Sequence, residues 1–443
     1  ELQKAGFSFH RAILPPQTLD NDTVRIQIVK FNLGKIEVAG NEHFSEQNIL
    51  NSLPELESGE APNNQRLSRS LKIANQHIAK STRVSLRQGL QADTIDADIR
   101  VTDREPQALY FVLDNTGNEE TEDERLTVSY QHSNLFDRDH TLTASVTTSP
   151  ADTDKASQFG VSYRMPLYEH GATLDFLVSA SQVDSGEVAD NFEISGEGTV
   201  VSALYSRPIL TDGSYNHEWS IGFQDKLFEN DLSFAGTPIG ADVKSRPLEL
   251  SYKVSNFLQS SLFNAHISVS ANISGGSENE DEDYELVRAG APADWSLVRF
   301  GADYSYFLES QWRFSGEINA QQSADPLISG EQFGVGGMSS LRGFEERSLL
   351  GDSGYSIRLE AGTPPLTSAN ILLIGFIDAA DLELENPQAG EEDSISVSSI
   401  GLGLRWSWRQ QLSLSIDFGQ INEGSGEQED GDSKAHFSLV YRY

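Results

Sequence analysis

Along residues 107–443, apolar and polar residues alternate with a period of two, stretch after stretch. Leu412, Leu414, Ile416 and Phe418 share one face, against Gln411, Ser413, Ser415 and Asp417. Ala265, Ile267, Val269, Ala271 and Ile273 oppose His266, Ser268, Ser270, Asn272 and Ser274. Ile400, Leu402, Leu404, Trp406 and Trp408 oppose Gly401, Gly403, Arg405 and Ser407, and Tyr355, Ile357, Leu359 and Ala361 oppose Ser356, Arg358 and Glu360. Successive side chains of a strand point to opposite faces, so each stretch predicts a strand with one apolar and one polar side. About sixteen such stretches open near residues 107, 125, 140, 157, 172, 192, 215, 245, 262, 296, 311, 354, 369, 395, 410 and 434. The spacing of about 21 residues suits membrane strands of ~9–11 residues joined by alternating short and long connections. Residues 134–139, 166–171, 207–214, 256–261, 308–310 and 408–409 make short connections. Residues 118–124, 229–244, 275–295, 321–353, 381–394 and 420–433 make long, mostly acidic ones. This asymmetry predicts a closed antiparallel barrel with two unlike rims. A soluble sandwich or propeller has no use for so many continuous apolar faces, and lipid offers no partner for an open sheet edge.

Residues 31–103 follow another rhythm. Residues 34–40 alternate as a short strand. Ser45 is a candidate N-cap, with Phe44 and Ile49 placed as a hydrophobic staple, and Pro54 stops the helix that carries Ile49, Leu50 and Leu53. A second helix opens near Pro62, with Leu67, Leu71, Ala74 and Ile78 on one stripe. Val84 and Leu86 alternate in one further strand, and Ile95, Ala97, Ile99 and Val101 in another. The order β-α-α-β-β describes a compact α+β module. Upstream, Val24, Ile26 and Ile28 predict one more strand after Pro15-Pro16.

Composition narrows the function. The chain carries 32 Lys+Arg against 67 Asp+Glu, a formal charge of −35, which argues against a nucleic-acid partner. There are no cysteines, so disulfide frameworks, thiolate catalysis and cysteine-based metal centres are excluded. The mean hydropathy is −0.40. No apolar run of ~18 residues exists, which excludes membrane helices and leaves a barrel open. Tyr, Phe and Trp number 13, 22 and 5 against two Met, which suits aromatic girdles. No G-x-S-x-G elbow, phosphate loop or other catalytic set is visible, so the chain reads as a non-enzyme with no cofactor. The acidic runs at 119–124, 278–285 and 427–432 read as solvated external faces rather than metal sites. His132 and His140 flank a turn without further ligands. No signal-type segment precedes Glu1, and the opening reads as the middle of a module, so an N-terminal part is expected to be missing.

The longest connection carries Gln332-Phe-Gly-Val-Gly-Gly-Met-Ser-Ser-Leu-Arg-Gly-Phe344. It lies between the eleventh and twelfth strands and resembles the FxxGG…[VL]RG[FY] loop of outer-membrane insertases and secretion transporters, with Leu341 for the more usual Val. Gly375-Phe-Ile-Asp378 on the thirteenth strand resembles the F-x-D element of the same superfamily, with Ala380 where Gly is common. Residues 11–17, 24–29 and 36–41 resemble the junction of two POTRA domains in TpsB-type two-partner secretion transporters, as does Val161-Ser-Tyr-Arg-Met-Pro166. The final strand, with Phe437, Leu439, Tyr441 and Tyr443, resembles the signal read by the outer-membrane assembly machinery.

The resemblance implies a mainly β protein. Residues 1–30 would be the remnant of a first POTRA domain and 31–104 a second. Residues 105–443 would form a 16-stranded antiparallel transmembrane barrel whose loop at about 321–353 folds into the lumen. Gly336, Gly337, Leu341, Arg342, Gly343 and Phe344 would form the lumen motif, with Phe376 and Asp378 on the wall. It further implies a monomer in the bacterial outer membrane, with POTRA in the periplasm, in contact with lipid and lipopolysaccharide. Such a protein would export a large TpsA-like exoprotein. The alternatives are a BamA-like insertase and a passive porin. From the residues themselves, the glycines let the loop pack closely against a wall. An arginine there needs a carboxylate, and Glu360 or Glu317 would serve as well as Asp378. In a wet lumen such a pair contributes only ~1 kcal/mol, and more if desolvated; its role reads as positioning. Substrate capture is expected by strand addition to an edge at Thr82, Val84, Leu86 and Gln88, beside the helix over 45–53.

Overall fold

The computed structural model describes all residues except 18–22, 118–121, 154–155, 182–184, 190–191, 195–197, 210–213, 230–232, 235–236, 239–240, 367–369, 389, 391, 410 and 427. Parts of five expected connections (118–124, 207–214, 229–244, 381–394 and 420–433) and of the acidic runs at 119–124 and 427–432 therefore lie outside the described residues.

The α+β module holds β1 (Asn32–Ala39), α1 (Glu46–Asn51), α2 (Asn64–Ala74), β2 (Lys80–Gln88) and β3 (Thr94–Asp103). In its sheet β3 is central, parallel to β1 and antiparallel to β2. Ser45 caps α1 by accepting from the Asn48 N–H at 3.0 Å. Leu33, Ile49, Leu53, Leu67, Ala97 and Ile99 form a dry core between the sheet and both helices. The apolar stripe of α2 ends sooner than its periodicity suggests. Asn75 caps the helix, and Ile78 lies beyond it, exposed. Ahead of the module, Arg11–Ile13 pairs with Gln27–Val29. Ile28 is therefore in a strand, whereas Val24 and Ile26 are not, and all three are exposed.

The remainder closes into an antiparallel barrel of sixteen strands, from β4 (Gln107–Asp114) to β19 (Ser433–Arg442). Val243–Ser245 and Pro247–Phe257 both pair with Asn216–Phe228 and count as one strand, interrupted at Arg246. The sixth strand begins at Gly198, not near 192, because Phe192–Ile194 pairs instead with Ser185–Ala189 outside the barrel. Closure joins β19 to β4 over five residue pairs, Ser438↔Asp114 to Arg442↔Tyr110, and Leu109 and Tyr443 exchange two further backbone bonds at 3.1 and 2.8 Å. The Asn115 amide lengthens this seam, accepting from the Phe437 N–H and donating to the Ala435 carbonyl, each at 2.7 Å.

The apolar faces point outward. Phe159, Phe223, Ile267, Val298, Leu359, Leu402 and Phe418 are all exposed, whereas Ser202, Ser268, Ser356, Ser399 and Asp417 on the alternate faces are buried. A polar interior and an apolar exterior form the solvation pattern of a lipid-embedded barrel. Among the described residues, no helix is long and apolar enough to cross a membrane.

Candidate functional site

The longest connection leaves β14 (Arg313–Ser323) and returns to β15 (Ser353–Gly362). Its stem is a short hairpin, Phe333–Val335 with Leu349–Gly351. Two buried carboxylates fix its ends. Glu331 accepts from Lys226 Nζ at 3.1 Å and from the Ser245 hydroxyl at 2.7 Å. Asp352 receives the Arg288 guanidinium and the backbone N–H groups of Leu327 and Glu385, at 2.9 and 2.7 Å. Leu341 and Phe344 are fully buried, packed with Val335, Ala380, Leu382, Val397 and Ile421. Ala380 thus occupies the apolar bed on which the loop rests.

Arg342 lies at the centre with no exposed surface. Its Nε and Nη2 donate to the two carboxylate oxygens of Asp378, each at 2.7 Å, and its backbone N–H adds a third bond at 3.1 Å. Nη1 donates to Glu360 at 2.6 Å. The guanidinium carbon sits 3.6 Å from the centre of the Phe376 ring, a cation–π geometry. Strand register explains why two carboxylates converge. Asp378 on β16 (Ile371–Glu383) faces Arg358, while Glu360 faces Phe376 one inward position away. Glu317 instead meets Arg358 at 3.4 Å. The Arg342 and Asp378 side chains have no exposed surface, the desolvated one of the two cases left open by the sequence. The pair is therefore a buried one, and removing one partner strands the others at a cost of about 3–5 kcal/mol.

The loop tip also touches strands that the sequence did not single out. Gly343, at φ +100°, lies backbone to backbone on Gly419 of β18 (Leu412–Glu423), where a Cβ would come within 2.6 Å of the Gly343 nitrogen. The Gly343 N–H donates to His436 Nε2 on β19 at 3.0 Å. Asp417, 3.8 Å from Arg342, is held by a bidentate bond from Arg405 at 2.7 and 2.8 Å. The only signal in the sequence for these groups is an ionisable or glycine residue at an inward strand position.

Gly336 and Gly337 open the tip at φ +125° and +87°, and Gly337 bridges to Leu341. These groups hold a loop in place; nothing in the cluster pairs a nucleophile with a base. Among the described residues no cluster suits a metal ion. The run at 278–285 serves local structure. Glu280 and Asp283 form a capping box on the helix Asp281–Val287, and Asp281 accepts from the Ala293 N–H at 2.9 Å.

In the module, β2 pairs on one side only. The Asn75 amide covers the outward backbone of Thr82, accepting from its N–H at 2.7 Å and donating to its carbonyl at 2.9 Å. The open part of the rim is therefore Val84 to Gln88, without Thr82. Both helices reach this strand at its start: the α2 cap Asn75 holds Thr82, and Asn48 of α1 accepts from Lys80 Nζ at 2.7 Å.

Comparison with known proteins fits this architecture. Residues 93–406 match the family model described as haemolysin secretion/activation protein ShlB/FhaC/HecB. The heme/hemopexin transporter protein HuxB of Haemophilus influenzae is 21% identical over 362 residues, covering 79% of this chain and 62% of that protein. The outer membrane transporter CdiB of Dickeya dadantii is 22% identical over 361 residues, covering 80% and 63%. The chain thus spans less than two thirds of the length of these relatives. In structure it resembles CdiB from Escherichia coli, with a TM-score of 0.79 at 15% identity, covering 100% of this chain and 82% of that one. BamA from Haemophilus ducreyi lacking POTRA domains 1–3 gives 0.58 at 15% identity, covering 99% and 90%. With its apolar exterior the barrel is an outer-membrane barrel, and the chain belongs to the ShlB/FhaC/HecB family of haemolysin secretion/activation proteins.

Proposed function

We propose that this chain is an outer-membrane export pore of the two-partner secretion type. It takes a large, unfolded exoprotein of TpsA kind from the periplasm and releases it at the cell surface. Residues 31–104 act as a periplasmic POTRA domain, and residues 1–30 are the remnant of another. An extended substrate segment adds to the open rim of β2 at Val84–Gln88, where backbone hydrogen bonds accept many sequences. The protein works as a monomer, with its acidic loops facing the lipopolysaccharide surface.

The observation that carries this reading is the loop clasped inside the lumen by Arg342, Asp378 and Glu360. A passive porin has no need of a buried clasp, whereas an export pore must hold the loop clear of its path. The insertase reading differs in its product. It predicts loss of other outer-membrane barrels when this protein is removed, and no loss of a secreted protein.

The test first deletes the gene for this chain to identify the large secreted protein lost from the medium, then substitutes Arg342→Ala in cells that make that protein. Barrel assembly, read as heat-modifiable migration in gels, should persist because the strands close without the loop. Export should fall at least ~10-fold, the equivalent of ~1.4 kcal/mol in a rate. Full export by the variant would remove the clasp from the mechanism.

A further inference from the structure

A second buried cation lies far from the lumen clasp, where the α+β module meets the barrel rim. Lys80, the first residue of β2, and Asp139 are fully buried, with Nζ and Oδ2 2.6 Å apart. Asp139 closes the short turn between β5 (Arg125–Leu135) and β6 (His140–Thr148). Its backbone stands at φ +60°, and the Asn134 side chain holds it by accepting from its N–H at 3.1 Å.

Asn48 of α1 completes the contact. It accepts from Lys80 Nζ at 2.7 Å and donates to Asp139 Oδ1 at 2.9 Å and to Asn134 at 3.1 Å. Tyr168, in the next short turn, donates to Asp139 Oδ2 at 2.6 Å. Both carboxylate oxygens are thus satisfied, by groups from a module strand, a module helix and a second barrel turn.

Such a network is a poor source of stability, since apolar side chains of equal volume would hold two surfaces together as well. What it supplies is a single allowed geometry, because any other docking leaves charges buried and unpaired. That geometry is specific. Lys80 anchors the end of the one-sided strand nearest the barrel. Beside the anchor, Gln76, His77 and Ile78 roof a cavity of about 420 Å³ whose barrel wall carries Thr127, Thr143 and Ser145.

We propose that Lys80, Asp139, Asn48 and Tyr168 form an orientation latch that holds the capture strand over the mouth of the lumen. These are positioning residues. They touch no substrate and act by aiming β2 so that a segment added to its rim continues into the hydroxyl-lined cavity. The inference rests on the export reading given above.

The chain has no cysteines, so a thiol pair can report the docking. Gln76 bonds to Arg164 at 3.0 Å and to Glu218 at 3.2 Å across the same junction. Gln76→Cys with Glu218→Cys, joined by a short bis-thiol reagent, reads docking, and release into the medium of a large secreted protein that is lost when this chain is deleted reads export. If the deletion removes no such protein from the medium, the export reading fails, and the latch as an aid to export fails with it.

If it does remove one, Lys80→Met should lower cross-linking at least five-fold and export at least ten-fold, while the barrel keeps its heat-modifiable migration. The exchange Lys80→Asp with Asp139→Lys should restore part of both. Should Lys80→Met fail to assemble, Tyr168→Phe removes one bond from Asp139 and should lower both readouts by a smaller factor. Export that falls with cross-linking intact, cross-linking that falls with export intact, or no change in either would overturn the latch.

Discussion

The module and the barrel use the same two-residue alternation and solvate it in opposite ways. In β3 the apolar residues are the hidden ones, with Ile95, Ala97 and Ile99 at 1%, 0% and 1% exposure. In the barrel, Leu402 is 73% and Phe418 53% exposed, while Ser399, Asp378 and Asp417 on the alternate faces are at 0%. Period alone cannot say which face is inside. In the module two helices cover the apolar face, so it becomes a core. In the barrel, among the described residues, no helix covers the outward apolar faces, and closure turns the polar faces toward one another around the lumen. At the loop clasp the buried charges on the lumen side are paired. Arg342 finds two carboxylates, and Asp417 finds Arg405.

The sharpest way to break this comparison is to place the same insult in both regions. Ile99→Asp buries an unpaired carboxylate in the dry core of the module, a cost of about 4 kcal/mol or more. The module should lose its protection against protease while the barrel still assembles. Proteolysis that leaves the variant module intact would mean that residue 99 is not in a closed core. Leu402→Arg places a cation on the outer face instead. There the penalty is about 2–4 kcal/mol near the bilayer midplane and less toward either interface. Urea titration in lipid vesicles should show the loss. A cost near zero at 402 would place that face in water.

Much of the barrel is legible because alternation repeats without interruption. The reading fails where local pattern and long-range pairing part. Residues 192–194 look like the start of a strand, yet their partner is a neighbouring external stretch. Ile78 continues a helical stripe, but Asn75 has already turned its amide to the Thr82 backbone, and a helix cannot continue past that cap. Three carboxylates were chemically equal partners for Arg342. Strand register separates them, bringing Asp378 and Glu360 together and giving Glu317 to Arg358. Gly419 and His436 were invisible for a different reason. They touch the loop tip only because the chain closes on itself, joining residues 76 and 93 positions apart. The latch is hidden in the same way, because Lys80 and Asp139 belong to two units whose docking no local pattern encodes.

The smallest expected effect lies where the two solvation schemes meet. His77 sits at the junction, donating from Nε2 to the Ser133 carbonyl at 2.6 Å and accepting at Nδ1 from the Ala79 N–H at 3.1 Å. Both bonds require the neutral ring, since a proton on Nδ1 displaces the Ala79 N–H. Burial holds its pKa below the ordinary 6.5, outweighing the pull of Asp139, while Lys80 and Arg164 push the same way as burial. The sign follows from proton binding. Below 6.5 the undocked ring takes up a proton that the docked ring resists, so docking weakens as pH falls through that range and is fully present above it. Spin labels at Leu90→Cys on the module and Leu258→Cys on the rim would read the distance across the junction. Their distribution should broaden between pH 7.5 and 5.5, and His77→Gln, which has no proton to gain, should flatten the response. A junction that stays equally sharp at both values would mean that the barrel rim holds the module without help from this ring, leaving the contact to the latch alone.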